Sequence, residues 1–386
     1  MGETVENGQT TPTHDVGVTK SGSAGVPVPI DLLWLEPTSP GTAPRTHLDG
    51  TRERLRVAGF VPRSVLTSPV PSPKLTQKLR RVVQLIRRAR KLEPKGVLVA
   101  RWHPFLGLVS PIWRRRGGAV ILLVQGNDES LYETYPWFRY VPTSRSLIRR
   151  SLIEADDVLV LNKGLEAWVD EIRGTRRTKS VPLQTGVSEV FLKASPGEAP
   201  ERPYVLFFGN LAPWQGIRYL LDAKSSHIWP TAVDLWIVGD GEDRSLVEAS
   251  QGDSIRFLGQ LPQEELAEIV VNAVATACTK RATGSMAETT TPFKMLESAA
   301  AGVPVIATDI PAQRRLLEAT NYGLLVNVDD PDDFARAVAR LAADPALHAS
   351  LAANARSIRS SLSWAAGAEI VERSISRAMD STTRSA

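Results

Sequence analysis

Lys294 and Glu297 stand three residues apart in the run Thr290-Thr291-Pro292-Phe293-Lys294-Met295-Leu296-Glu297. Their types and spacing suit one piece of chemistry. Thr291 can cap a helix whose first position is Pro292, where a missing N–H costs nothing. Lys294 then falls in the first turn, where free N–H groups, the positive end of the helix dipole and an ammonium converge on an anion. Glu297 lies near the same face, and its carboxylate can accept hydrogen bonds from a diol such as a ribose. A phosphate site beside a diol site describes a nucleotide. The same two residues also read as an ordinary i,i+3 surface pair, and the run by itself leaves both readings open.

The elements that must position this run follow from the pattern around it. Gly302 suits the helix exit, and Val303–Thr308 is a short apolar strand. Similar runs recur along the chain. Asp31–Leu35, Val97–Trp102, Ala119–Gln125, Asp157–Asn162 and Val181–Gln184 form one series. Tyr204–Phe208, Asp234–Val238, Ser254–Leu258, Ala273–Ala277, Val303–Thr308 and Gly323–Val328 form a second. Their apolar, β-branched character suits parallel strands covered on both faces, and helical patterns alternate with them, which predicts an α/β architecture. The polar stretch Lys193–Pro203, with prolines at 196, 200 and 203, separates the two series as a linker. Two doubly wound domains joined there would form a cleft with ligand at the carboxyl ends of the strands.

Three more loops lie at such ends. Gly209-Asn210-Leu211-Ala212-Pro213-Trp214-Gln215-Gly216 follows a strand and opens a helix, and its glycines allow close approach of backbone to a phosphate. Gly239-Asp240-Gly241-Glu242 ends the next strand. Phe257-Leu258-Gly259-Gln260-Leu261-Pro262 precedes a helix starting near Gln263. Each alone is an ordinary turn; their common placement in one domain is the signal.

The 386 residues suggest two domains of ordinary size. No apolar run is long enough to cross a bilayer. Residues 1–28 read as a polar, disordered tail without the basic-then-apolar order of a secretion signal, which points to a cytoplasmic protein. Cys278 is the only cysteine, so an intramolecular disulfide and a cysteine-based metal site are excluded. Residues 1–200 carry 29 Lys/Arg against 19 Asp/Glu, whereas residues 201–386 carry 17 against 23. A basic first half suggests an anionic partner. Its densest stretch, Lys74–Lys95, places Leu75, Leu79, Val82, Val83, Ile86, Ala89 and Leu92 at helical spacing. It reads either as a solvated surface helix or as one lying on an anionic membrane, at its inner face; no nucleic-acid-binding motif is present.

The second half resembles the donor domain of the family 4 (group 1) retaining glycosyltransferases, which have the two-Rossmann GT-B fold. The matching pieces run in family order: Phe-Phe-Gly209-Asn-Leu-Ala-Pro-Trp214-Gln215-Gly216, Ile-Val-Gly239-Asp-Gly241, Phe257-Leu-Gly259, then Pro292-Phe-Lys294-Met-Leu-Glu297 through Pro304. In the first half, Pro44 to Gly50 resembles the family's loop after the first strand, and Ala155 to Leu161 the strand preceding the linker. Ser363-Trp364 and the pattern after it resemble the C-terminal helix that crosses back onto the N-domain. The resemblance implies an acceptor domain over 29–192, a nucleotide-sugar donor domain over 204–362, and a crossing-back helix and tail over 363–386.

Two departures place the chain beside the branch with Trp-Gln-Gly and Pro-x-Lys-x-x-Glu runs. Asn210 and Gln215 stand where many members carry an Arg and a Lys on the diphosphate, and Thr289 stands where many carry the first of two glutamates, with Glu288 one residue off. Lys294 is then expected to take over part of the diphosphate charge, and Glu288, Thr289 and Thr290 are candidates for the sugar contact. The implied reaction is transfer from a nucleoside diphosphate sugar with retention, its leaving group stabilised by a cation, a helix N-terminus and N–H groups. The donor contacts implied are Gly209, Asn210, Gln215, Gly216, Gly239, Gly259, Leu261, Thr291, Lys294 and Glu297.

No cofactor and no metal are needed in that scheme. Asp330-Pro331-Asp332 has an Asp-x-Asp form, yet it reads as a helix cap. The acceptor, a glycan, a lipid-linked or envelope-polymer molecule or a small molecule, falls to the N-domain. There His103 follows a strand and reads equally as a catalytic or a structural histidine, and Gln125 and Asn127 end the next strand. Polysaccharide or glycolipid biosynthesis is the corresponding setting. A nucleotide-sugar epimerase on the same fold and a non-catalytic sugar-nucleotide-binding protein are the alternatives.

Overall fold

The computed structural model describes residues 28–39, 42–68, 75–92, 96–161, 163–175, 178–281 and 292–383. The expected N-terminal tail and Thr290–Thr291, with Glu288 and Thr289, lie outside the described residues.

Two six-stranded sheets carry the fold. The first holds β1 (Ile30–Pro37), β2 (Pro62–Ser68), β3 (Val97–Arg101), β4 (Ala119–Val124), β5 (Asp157–Val160) and β6 (Val181–Pro182), in the order β2-β1-β3-β4-β5-β6. The second holds β7 (Tyr204–Asn210), β8 (Asp234–Asp240), β9 (Ile255–Phe257), β10 (Ala275–Cys278), β11 (Val305–Thr308) and β12 (Gly323–Val326), in the order β12-β11-β10-β7-β8-β9. All pairings are parallel. This requires helical crossovers, and the helices bury both faces of each sheet, so strands such as Ala119–Val124 are apolar and buried at every position. Each sheet therefore has a core on either side. The architecture is GT-B: two Rossmann-like domains facing one another.

The strand order reverses between β1 and β3 in the first sheet and between β7 and β10 in the second. In an open parallel sheet the adjacent crossovers diverge at such a point and leave a crevice at the carboxyl ends. The eleven expected strands are all present, with ends within two residues of those read from the sequence.

Three expectations need correction. Residues 44–50 are not a loop but the start of helix α1 (Ala43–Val57), with Pro44 in its first turn. Pro292 is the N-cap of the helix Phe293–Ala301, with ψ 134°, rather than its first helical residue. Arg81, within the stretch read as a solvated or membrane-lying basic helix, is instead on the buried side of helix α2 (Leu75–Lys91). Gly302 does end its helix, in the left-handed conformation that favours glycine (φ 77°).

The domains are joined by more than the linker. The C-terminal helix Ala368–Thr383 lies on the first sheet, burying Val371, Ile375 and Ala378 against β1, β3 and β4. There Ser374 and Arg377 each donate to the buried carboxylate of Asp157 at 2.7 Å. Just before that helix, the Trp364 ring fills a hollow made by glycines: a Cβ on Gly50 would fall 2.1 Å from the ring, and one on Gly186 2.6 Å. The buried guanidinium of Arg54 lies 4.7 Å from the ring centroid, and its Nε donates to the Trp364 carbonyl at 3.0 Å. No helix among the described residues is long and apolar enough to cross a membrane.

Candidate active site

The second sheet's reversal point is built from the turn after β7, the segment after β10 and the N-terminus of the helix Phe293–Ala301. Gly216 closes the first turn at φ 74°, and a Cβ there would fall 2.0 Å from the Thr279 carbonyl oxygen. Glycine is needed both for that conformation and for the close pass. The turn is tied down by Thr279 Oγ1, which donates to the Gln215 carbonyl at 2.8 Å, and by the Arg281 N–H, which donates to the Trp214 carbonyl at 3.0 Å.

Into this crevice the helix delivers Lys294, which is only 6% exposed. Its Nζ donates to Gln215 Oε1 at 3.2 Å and lies 3.7 Å from the centroid of the Phe207 ring. It passes close to Gly209, where a Cβ would lie in ordinary contact with the Lys294 Cε and Nζ at 3.7 Å. Burial lowers the Lys294 pKa to about 8 against the pull of Cys278 and Glu297, and the neighbouring Lys280 adds to the depression. Burial likewise raises Glu297 to about 7, with the Lys294 charge opposing it. The two groups expected to meet phosphate and diol thus share one poorly solvated environment and titrate close to neutrality, as groups at functional sites often do.

Gln215 does not stand free to meet a phosphate; its amide oxygen holds the Lys294 ammonium. Asn210 is exposed at the end of β7, with its side-chain oxygen over Gly241. The Gly239 N–H donates to the Gly259 carbonyl at 2.7 Å, bringing the second and third loops together beside the first. Leu261 is partly buried against the core under the third loop. Glu288 and Thr291 lie outside the described residues.

Sequence reasoning missed Lys280. It lies two residues past the end of β10, is 4% exposed, and its Nζ lies 5.7 Å from the centroid of the half-exposed Trp214 ring. The available signal was a lysine two residues past an apolar strand. Also missed was the crossing from the first domain: the His47 ring of α1 sits edge-on to Phe293 at 5.2 Å and to Trp364 at 6.0 Å. His47 is held neutral well below its usual pKa by burial and by the Arg101 and Arg54 charges.

On the first domain, Arg101 ends β3 and pairs with Glu36 at the end of β1. His103 follows; its Nδ1 accepts the Phe105 N–H at 3.3 Å, and burial lowers its pKa to about 4. The ring is therefore neutral, with its proton on Nε2. The Gln125 side-chain oxygen is buried without a hydrogen-bond partner among the described residues. Asn127 caps the helix Asp128–Thr134, accepting from the N–H and hydroxyl of Ser130 at 3.0 and 2.9 Å. Asp330 likewise caps the helix Pro331–Ala343, accepting from the Asp332 N–H at 3.0 Å.

Residues 202–344 match the family model described as glycosyl transferases group 1. The chain is 25% identical over 212 residues to the lipopolysaccharide core biosynthesis glycosyltransferase LpsE of Rhizobium meliloti, covering 53% of this chain and 59% of that protein. It is 30% identical over 253 residues to the D-inositol 3-phosphate glycosyltransferase of Streptosporangium roseum, covering 59% and 56%. The chain thus spans somewhat over half the length of these relatives. In fold it is similar to Anabaena HepE in complex with UDP, with a TM-score of 0.68 and 17% identity over 90% of this chain and all of that one.

Proposed function

We propose that this protein is a glycosyltransferase, moving a sugar from a nucleoside diphosphate sugar to an acceptor hydroxyl with retention at the anomeric carbon. The observation that carries the reading is the Lys294 ammonium, buried at a helix N-terminus where the donor-domain strands diverge. A cation kept there against its desolvation suits a site that receives a highly charged anion. The group 1 match over 202–344, and relatives named for glycosyl transfer to lipopolysaccharide core and to an inositol phosphate, support it.

In this reading the bond from the anomeric carbon to the diphosphate breaks, a bond to the acceptor oxygen forms, and the acceptor's proton leaves with the nucleoside diphosphate. Lys294, Lys280 and the N–H groups at the start of the helix Phe293–Ala301 carry the leaving charge. Glu297 accepts from the ribose hydroxyls, and the turn Asn210–Gly216 closes over the phosphates. The first domain holds the acceptor, with His103 and Gln125 at its edge; Asn127 acts through the helix it caps. The charge balance is met by protein groups, and we expect transfer to persist in a chelator.

Turnover decides among the readings. A transferase releases nucleoside diphosphate only with an acceptor present. An epimerase converts the donor without release, and a binding module does neither. The anomeric coupling constant of the product, read by NMR, tests retention.

We further propose a membrane-borne acceptor. The outer face of α2 combines exposed Arg80, Arg87 and Arg88 with exposed Leu79 and Val83, the mixture that favours an anionic lipid surface. Co-sedimentation with anionic but not neutral vesicles, weakened by salt and by Arg80, Arg87 and Arg88→Gln, is the expected result. Absence of sedimentation at low salt overturns it.

A further inference from the structure

Among the described residues, Trp214 is the one large apolar side chain of the second domain that stands well exposed, at 40%. A single exposed ring is ordinary on a protein surface. The placement of this one is not. It belongs to the turn between β7 and the helix Ile217–Ser225, where the strand order reverses.

The turn leaves the ring's backbone little freedom. Pro213 opens a short 3₁₀ turn, and the Gln215 N–H closes it on the Ala212 carbonyl at 2.8 Å. The Trp214 carbonyl accepts the Arg281 N–H at 3.0 Å. Gly216 then leaves the turn in the left-handed conformation, tight against the Thr279 carbonyl. A side chain on so fixed a backbone is placed before any ligand arrives, and a placed surface loses less freedom on binding than a mobile one.

The neighbours of the ring fix its position relative to the site. Lys280 Nζ lies 5.7 Å from the indole centroid. Lys294 feels the charges of both Lys280 and Glu297, and its Nζ is held by Gln215, the residue after Trp214. Successive contacts thus order the groups as Glu297, Lys294, Lys280 and Trp214. With ribose on Glu297 and diphosphate on the two ammoniums, the indole stands at the end of the row away from the ribose. A nucleoside diphosphate sugar carries its sugar at that end. The order rests on the glycosyltransferase reading, which supplies the ribose and the diphosphate.

The chemistry of the ring suits that neighbour. An indole face is flat, broad and apolar. One face of a hexopyranose is a patch of C–H bonds. Laid together they withdraw apolar surface from water, while the sugar hydroxyls around the ring edge stay free to bond elsewhere. A nucleobase also stacks on an indole, but ribose at Glu297 puts the base beyond the other end of the row.

We propose that Trp214 is the platform for the transferred sugar: a hexopyranose lies with its C–H face on the indole and its anomeric carbon turned toward Lys280 and Lys294. Trp214 is then a specificity-determining residue of the donor site, selecting sugars with an uninterrupted C–H face.

Calorimetric titration of the full chain tests this with UDP-glucose, GDP-mannose and ADP-glucose, each beside its own nucleoside diphosphate. The readout is the ratio of the two affinities within a pair, because a general disturbance of the turn weakens both members together. Trp214→Ala should lower that ratio by about two- to tenfold for at least one pair, with affinity for the free diphosphate retained. Trp214→Phe, which keeps a flat ring, should recover most of it. Sugar-dependent quenching of tryptophan emission should appear in the wild type and be missing from Trp214→Phe, although every other tryptophan remains.

An unchanged ratio for every pair that binds overturns the proposal. So does an equal loss for both members of a pair, which would put the base or the phosphates on the ring. A Phe variant no better than Ala assigns the effect to the turn and has the same consequence. If no nucleotide binds the wild type, the glycosyltransferase reading falls and the platform with it. Nucleotide binding with a ratio indifferent to Trp214 removes the platform alone.

Discussion

Lys294→Met separates the cost of the buried ammonium from its use. The substitution keeps an unbranched stem against Phe207 and removes the charge that Gln215 holds. The group titrates near about 8 rather than 10.5. At neutral pH, below both values, the charged form is therefore disfavoured in the folded state by roughly 3 kcal/mol. Removing it relieves that penalty, less about 1–2 kcal/mol for the Gln215 oxygen left without its donor. The ligand-free variant should melt at the wild-type temperature or slightly above it.

The same change should cost catalysis heavily. Loss of one preorganised group that stabilises developing charge costs about 10²–10³ in kcat, roughly 3–4 kcal/mol. Steady-state release of nucleoside diphosphate, beside a thermal melt of the same preparation, reads both quantities. A variant that keeps activity within about threefold of wild type would refute the assignment of Lys294 to the leaving group. A melt lowered by several degrees would refute the account of its burial.

Glu297 ionises on passing about 7 and Lys294 loses its proton near about 8. The profile of kcat/KM should therefore rise through the first value and fall through the second, giving a narrow bell. Glu297→Gln should remove the rising limb at a reduced plateau, and a flat wild-type profile across this range contradicts the pairing. Gly216→Ala forces a Cβ into a left-handed turn against the Thr279 carbonyl. That conformation alone costs about 1–2 kcal/mol, so the thermal shift produced by a nucleoside diphosphate should shrink or vanish. Trp364→Ala empties the hollow over Gly50 and Gly186. A loss of about 3–5 kcal/mol in urea denaturation is expected, with a loss under about 1 kcal/mol against the role of this ring in joining the domains.

Strands covered on both faces announce themselves as continuous apolar runs, which is why β4 and its neighbours were legible. β2 was not. It pairs only with β1 at the sheet edge, its residues are half-buried to exposed, and Pro62, Arg63 and Ser64 give it no apolar run. The Lys294–Glu297 pair was legible because one helix turn holds both partners. Lys280 reaches Lys294 from the segment after β10, and His47 reaches Phe293 from another domain, so no local spacing records either meeting. The misplaced helix start has a simpler cause. Proline fixes φ near −65°, a value shared by helical and extended backbone, and at Pro292 it is ψ that decides.

The Asp157 carboxylate joins two parts of one molecule, and it also sets a schedule. Two of its donors, Ser374 and Arg377, are encoded more than two hundred positions after it, and the apolar surface around β1, β3 and β4 waits for Val371 and Ile375. Domains commonly fold in the order in which they leave the ribosome. Here the earlier domain emerges with one flank uncovered and keeps it so while the entire second domain is made. During that interval its exposed apolar face is open to other chains and to chaperones. The later domain draws all of its own strands from one unbroken stretch, so it is the half able to complete itself first.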